Sequence, residues 1–346
     1  MKKINIIKIA LGIFTIFLLC LLYIFLNYKD LVYVYSYSEK IEKQSENMQI
    51  VLGGEAVGIK LLATGVLVMQ VDREDVDIKV GDIILSVNDE QVDTNAKLQD
   101  ITKNSKGEIL NLKIKRQEQE KEVKIEPVRD EISGEYVLGL WVKDSSAGVG
   151  TVTFYDKKTK KFASLGHGVT ETKENYVLPI QSGGITSTNI FSIEKGYAKQ
   201  PGQLRGTISN NIIGDIMLNT KKGVYGFMLD DSYYKDKEEI LVMKKTEIKE
   251  GKAKIRCTLD DNKISEYDIE IEKVLLTSTG NKNMIIKITD EELLNKTNGI
   301  IQGMSGSPII QDNKLVGAIT HVFLNDPTRG YAVFAENMIE DINSFD

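Results

Sequence analysis

From Gln49 onward the chain is a succession of short β-rich runs bounded by Gly, Asp or Asn, and that pattern leaves few folds open. Val57 to Leu61, Val66 to Val71, Ile83 to Val87, Ile109 to Lys115 and Glu122 to Glu126 come first, with one helical stretch from Asn95 to Thr102 among them. Short strands and one helix in so little chain suit a small, partly open barrel. Beyond Arg129 the runs resume: Val137 to Val142, Gly150 to Tyr155, Glu239 to Met243, Ala253 to Thr258, Ile264 to Val274, Met284 to Ile288 and Lys314 to Thr320. Many short strands over this length predict a sandwich or a double barrel. The last segment, Ala335 to Ser344, reads as a helix with Met338, Ile339 and Ile342 on one face. The fold class is therefore mainly β, with two domains after whatever precedes Gln49.

What precedes it is a membrane anchor by composition. Ile9 to Leu26 is apolar and uncharged, and Lys2, Lys3 and Lys8 stand before it. A run of this length crosses a bilayer core of about 30 Å. A cleaved signal peptide would need a small-residue cleavage site behind it, and Asn27 to Asp30 offers none. The expected organisation is a cytoplasmic tip and transmembrane signal anchor in 1–26, a tether in 27–48, and two domains in 49–128 and 129–346. The amino-terminal lysines keep that end in the cytoplasm and put the globular part outside it.

Composition narrows the chemistry. A net charge of −6 with no large basic block argues against nucleic acid as the partner. Two cysteines, Cys20 and Cys257, and two histidines, His167 and His321, are too few and too scattered for a Cys/His zinc site, so no metal or other cofactor is expected. Imidazole chemistry has two candidates only.

The sharpest motif is Gly303-Met-Ser-Gly-Ser-Pro-Ile-Ile. Glycine permits the tight turn that exposes Ser305 as a nucleophile. It also aims the N–H groups of Gly303 and Ser305 at one point, where an acyl-transfer oxyanion would sit. A serine hydroxyl needs a base. His167, between Gly166 and Gly168 at a strand end, is free to lean into a cleft; His321, alternating within a strand, reads as a packed residue. His before Ser is the chain order of the chymotrypsin class. For the carboxylate of a triad, composition leaves Asp215, Asp230, Asp231, Asp290 and Asp326 open.

Two resemblances follow from longer stretches. Val80-Gly-Asp-Ile-Ile-Leu-Ser-Val-Asn-Asp-Glu-Gln-Val resembles a segment of PDZ domains, and Thr64-Gly65-Val66-Leu67 resembles their carboxylate-binding loop. That implies a peptide C-terminus at Thr64, Gly65, Val66 and Leu67, its chain pairing along Val66 to Val71. The whole chain resembles the stage IV sporulation protein B family of serine peptidases. The order anchor, PDZ, peptidase carries this, with Gly139 to Phe154, Leu165 to Gly168, Pro201 to Gly206, Ile301 to Ile309 and Thr320 to Tyr331. The resemblance implies a chymotrypsin-like double β-barrel and a triad of His167, Asp290 and Ser305. Its Asp290 also suits a helix N-cap. It further implies cleavage of a membrane-bound regulator of an intramembrane protease, and of the chain itself in trans. The setting is the forespore intermembrane space, and the result is processing of a late mother-cell sigma factor precursor. Two other classes remain open on sequence: a tail-specific peptidase with a Ser-Lys dyad, and a non-catalytic PDZ adaptor.

Overall fold

The computed structural model describes residues 23, 48–117, 119–170, 177–260 and 262–345. The apolar run Ile9 to Leu26, Tyr23 apart, and nearly all of the tether lie outside them. Among the described residues no helix is long and apolar enough to cross a membrane.

In chain order the first elements are β1 (Gln49–Leu52), β2 (Ala56–Val71), β3 (Ile83–Val87), β4 (Glu90–Gln91), α1 (Asn95–Asn104), β5 (Leu110–Arg116) and β6 (Gln119–Ile125). Two short strands, β7 (Val128–Arg129) and β8 (Tyr136–Val137), precede β9 (Leu140–Asp156), β10 (Lys161–Ser164), β11 (Ile180–Glu194), β12 (Gln203–Thr220), β13 (Gly223–Met228) and β14 (Glu239–Leu241). The rest comprises β15 (Gly251–Thr258), β16 (Ile264–Val274), β17 (Met284–Ile288), α2 (Glu291–Thr297), β18 (Pro308–Gln311), β19 (Lys314–Phe323), β20 (Asp326–Phe334) and α3 (Ala335–Ile342).

Three hydrophobic cores lie among the described residues. In the amino-terminal sheet β5 alternates buried and open residues, so Leu110, Leu112 and Ile114 face Val66, Val68, Ile84, Val87 and Leu98. Arg116 grips the buried Asp82 with two hydrogen bonds of 2.8 Å, and Asp82 also accepts from Lys79 N–H, which fixes the turn before β3. In the first barrel β2, β9, β10, β13, β12 and β11 pair in a closed ring around Val57, Ile59, Tyr155, Phe162 and Ile185. In the second, β15, β16, β17, β20, β19 and β18 close around Ile255, Ile269, Ile286, Ile309 and Ile319. Closure removes the free sheet edges that strands of this length would otherwise expose.

The strands do not respect the boundaries expected from sequence. Val57 to Leu62 of β2 pair with β9 and β11 inside the first barrel, whereas Val66 and Leu67 pair with β3 in the amino-terminal sheet. Conversely Leu140 to Lys143 of β9 pair with Leu67 to Val71, and only the later part of β9 belongs to the barrel. The register between β2 and β9 shifts between Leu62 and Leu67, where Gly65 takes φ +83°. A side chain at Gly65 would bring its Cβ to 2.5 Å from the Ile84 carbonyl oxygen, so only glycine fits. Two long strands thus bend once and serve two sheets.

Candidate active site

The loop that carries Ser305 lies between α2 and β18, on the second barrel. It rests against the first barrel backbone to backbone. Gly306, at φ +94°, sits where a Cβ would come within 2.1 Å of the Thr151 carbonyl oxygen. Thr151 on β9 brackets the loop. Its N–H donates to the Ser305 carbonyl at 2.9 Å, and its hydroxyl donates to the Gly303 carbonyl at 2.7 Å. Thr153, two residues on, donates to the Gly306 carbonyl at 2.8 Å. With the carbonyls turned toward β9, the N–H groups of Gly303 and Ser305 remain without hydrogen-bond partners among the described residues. Such paired, unengaged donors are what an oxyanion hole requires.

His167 arrives from the first barrel on the turn after β10, where Leu165 and Gly166 both have φ +67°. Ser305, Gly303, His167 and His321 line one cavity of about 890 Å³ between the barrels, with Ile59, Leu165, Leu204 and Ile301 among its apolar walls. His167 Nδ1 is 2.8 Å from the Gly168 carbonyl. A carbonyl only accepts, so Nδ1 carries the proton and Nε2 keeps the lone pair, as a general base must. Burial pushes the His167 pKa below its ordinary value, and the Gly168 bond opposes that in part. Ser305 Oγ donates to the Thr320 carbonyl at 3.0 Å, which engages its proton.

Asp290, given the third place by resemblance, is engaged elsewhere. It is the N-cap of α2: Oδ1 accepts from Leu293 N–H at 2.9 Å and Oδ2 from Asp268 N–H at 3.2 Å. It does not line the cavity, and neither do Asp215, Asp230, Asp231 or Asp326. Among the described residues, no carboxylate does. Lys282 is the lysine on the cavity wall, and its Nζ stands 5.1 Å over the Tyr331 ring.

The peptide edge expected along Val66 to Val71 is filled. One side meets β3 and Asp82, the other meets Leu140 to Lys143 of β9. Thr64 N–H donates to the Pro179 carbonyl at 2.9 Å. The side of Leu67 to Val71 that meets β9 is therefore closed to an incoming peptide. The sequence does not reveal this, because the occupying strand lies about 70 residues downstream in the segment expected to be peptidase. It also hides Thr151 and Thr320, two ordinary strand threonines until the barrels meet.

The SpoIVB peptidase S55 family profile matches residues 134–339, more than half of the chain. The chain belongs to this family. It is a PDZ-containing serine peptidase, with a PDZ domain profile matching residues 43–126. Among curated proteins no match was found. Among the solved structures that match are three at low identity. The PDZ domain of an SdrC-like protein from Listeria monocytogenes is 19% identical with TM-score 0.22, covering 23% of this chain and 87% of its own. The active form of a protease from M. tuberculosis is 10% identical with TM-score 0.33, covering 57% and 74%. The HtrA-type protease AlgW with a decapeptide is 8% identical with TM-score 0.36, covering 85% of this chain and 64% of its own.

Proposed function

We propose that this S55 peptidase is a membrane-anchored serine endopeptidase of sporulation signalling, with Ser305 as nucleophile and His167 as base. The observation that carries the chemistry is that both residues, from opposite barrels, line one cavity beside the unengaged N–H groups of Gly303 and Ser305. Ser305 Oγ attacks the scissile carbonyl carbon while its proton passes to His167 Nε2. The carbonyl π pair moves onto oxygen, which takes hydrogen bonds from Gly303 and Ser305 N–H. Collapse of the adduct breaks the C–N bond, and the leaving amine takes the proton from Nε2. Water repeats the sequence on the acyl-serine and restores the hydroxyl. Asp290 would have to give up two main-chain donors to serve as the third member.

Family membership supports the biological reading. The chain is anchored by Ile9 to Leu26, with its peptidase outside the cytoplasm in the forespore intermembrane space. It cleaves a membrane-bound regulator of an intramembrane protease and, between molecules, itself. The PDZ domain assists target choice. The test of the chemistry is fluorophosphonate labelling of the full chain. Wild type becomes labelled, Ser305→Ala does not, and His167→Ala falls to background. Labelling of Ser305→Ala at the wild-type rate overturns the assignment.

A further inference from the structure

The pairing of β19 with β20 shifts register between Ile319 and His321, and Thr320 stands at that bulge. Thr320 ties the Ser305 loop to the segment that carries Lys282. Its carbonyl accepts from Ser305 Oγ at 3.0 Å, and its own hydroxyl donates to the Asn281 carbonyl at 3.1 Å. Lys282 is the next residue, and its backbone is held on both sides. Its carbonyl accepts from Ser278 Oγ at 2.8 Å, and the N–H of buried Asn283 donates to the Ala332 carbonyl on β20 at 2.8 Å. The side chain is placed as well. Lys282 Nζ stands 5.1 Å over the Tyr331 ring, whose centroid lies 4.7 Å from that of Phe323. Tyr331 pairs with His321 across β19 and β20, and Lys282, Tyr331 and His321 line the cavity together with Ser305.

Resting on the reading of Ser305 and His167 as nucleophile and base, we propose that Lys282 determines specificity: it selects substrates that carry an acidic side chain, Asp or Glu, close to the scissile bond. Lys282 is the only lysine or arginine among the described residues that line the cavity. No carboxylate of a described residue is paired with its Nζ, which rests over the Tyr331 ring. A cation over a ring face keeps N–H donors for an anion, and a carboxylate is the anion that a peptide brings. The walls nearby are apolar, with Val322, Leu324, Ile300 and Ile301, so the field of the ammonium is screened less there than in open water. The chain as a whole is acidic, at −6, so the cavity carries the opposite sign to the rest of the molecule. The same ammonium repels a substrate Lys or Arg, and rejection of the wrong charge adds to selection of the right one.

The test uses the full chain and a mixture of C-terminally amidated peptides, with the cleavage sites read by mass spectrometry. The preferred peptide is remade with Glu, Gln or Lys at each position flanking the scissile bond, and kcat/KM is measured for each. Wild type is expected to favour Glu over Gln by about fivefold at one position, the upper range for a solvent-exposed ion pair, and the preference should shrink in about 1 M salt. Lys282→Met should bring that ratio to about one, and Lys282→Glu should turn the preference toward Lys. Each ratio is taken within one variant, so a general loss of activity does not imitate the effect. Lys282 is exposed, and a thermal melt of each variant checks that it folds. A Glu-to-Gln ratio near one at every position in wild type, or the same ratio in wild type and both variants, overturns the inference and leaves nucleophile and base in place. A preference confined to peptides with a free C-terminal carboxylate overturns it too, because the carboxylate recognised is then the chain end. So does a folded Lys282→Met that fluorophosphonate no longer labels, which puts Lys282 in the chemistry. Cleavage by Ser305→Ala at the wild-type rate overturns the reading of the site itself. If wild type is labelled but cleaves nothing in the mixture, protection of Ser305 from labelling by the Glu and Gln peptides supplies the same ratio.

Discussion

Thr151 Oγ1 donates to the Gly303 carbonyl at 2.7 Å, a hydrogen bond from a strand of the first barrel to the Ser305 loop of the second. The same strand, β9, pairs at its other end with Leu67 to Val71 in the PDZ sheet. One continuous piece of backbone therefore reaches from the PDZ domain to the loop of Gly303 and Ser305. The geometry of that loop depends on how two barrels and a PDZ sheet seat the strand.

Thr151→Val removes the hydroxyl and keeps the shape. The buried Gly303 carbonyl then lacks its partner, a loss of about 1–3 kcal/mol in stability. The peptide is also free to turn, so the Gly303 N–H leaves its aim. Expected loss in labelling rate is up to about 10²–10³, the scale for one oxyanion donor. Thr151→Ser keeps the hydroxyl and is expected to stay within a few-fold of wild type. Melting temperature and probe-labelling rate, measured together, check both effects. An active, unchanged Thr151→Val would show that the loop holds its own shape.

With His167 as the proposed base, the pH profile follows from its titration. Its base form is neutral, and burial is the first cause of its lowered pKa. Activity should therefore persist below the ordinary histidine value of about 6.5 and fall only at lower pH. Stability moves the same way. Between about pH 6.5 and the lower folded value the unfolded imidazole is protonated and the folded one is not, so stability is lost as pH falls through that window. His321, pushed down to about 4, extends the loss toward that pH. A pH titration of kcat/KM and of melting temperature checks this; an acidic midpoint above 6.5 contradicts it.

How much of this was legible in sequence depends on the range of the interaction. Gly303 to Pro308 announced its turn because glycine and proline act locally, and the β runs announced barrels because alternation is local too. Val66 to Val71 read as an open edge because nothing near it in the chain says otherwise. Its occupant, Leu140 to Lys143, is a long-range partner. His321 read as a packed strand residue because alternation assumes an unbroken register, and the bulge at Thr320 breaks it. Asp290 owes its triad place to resemblance alone, while its position before Glu291 suits a cap; the fold supplies two main-chain donors to it.

Asp290 gives the next expectation. Asparagine caps a helix about as well as aspartate, so Asp290→Asn should keep both stability and labelling rate within a few-fold of wild type. Asp290→Ala should lose about 1 kcal/mol, with a further small loss from the freed Asp268 N–H, and little activity. Thermal melts and labelling rates of the two variants read this directly. A rate loss near 10⁴ in Asp290→Asn, with an unchanged melt, would place its carboxylate in the triad after all.

The last expectation concerns the continuity between PDZ sheet and active site. Gly65 sits at φ +83°, and a Cβ there meets the Ile84 carbonyl oxygen at 2.5 Å. Valine costs roughly 1–2 kcal/mol for the left-handed backbone and about 1–3 kcal/mol for the overpacking. Relief requires β2 to shift against β3, and β9 is paired along β2 on the other side. That shift is carried along β9 toward Thr151, which holds the Gly303 and Ser305 carbonyls. Gly65→Val should therefore lower the melting temperature and the labelling rate of Ser305 together. Trp141→Ala is the control: Trp141 lies on the same stretch of β9, but 64% exposed, and its indole N–H reaches only Asp72 at 2.7 Å. Its removal should leave the labelling rate within about twofold, as exposed substitutions usually do. If Gly65→Val remains folded and labels at the wild-type rate, the bend at Gly65 isolates the PDZ sheet from the barrels, and β9 carries no strain between them.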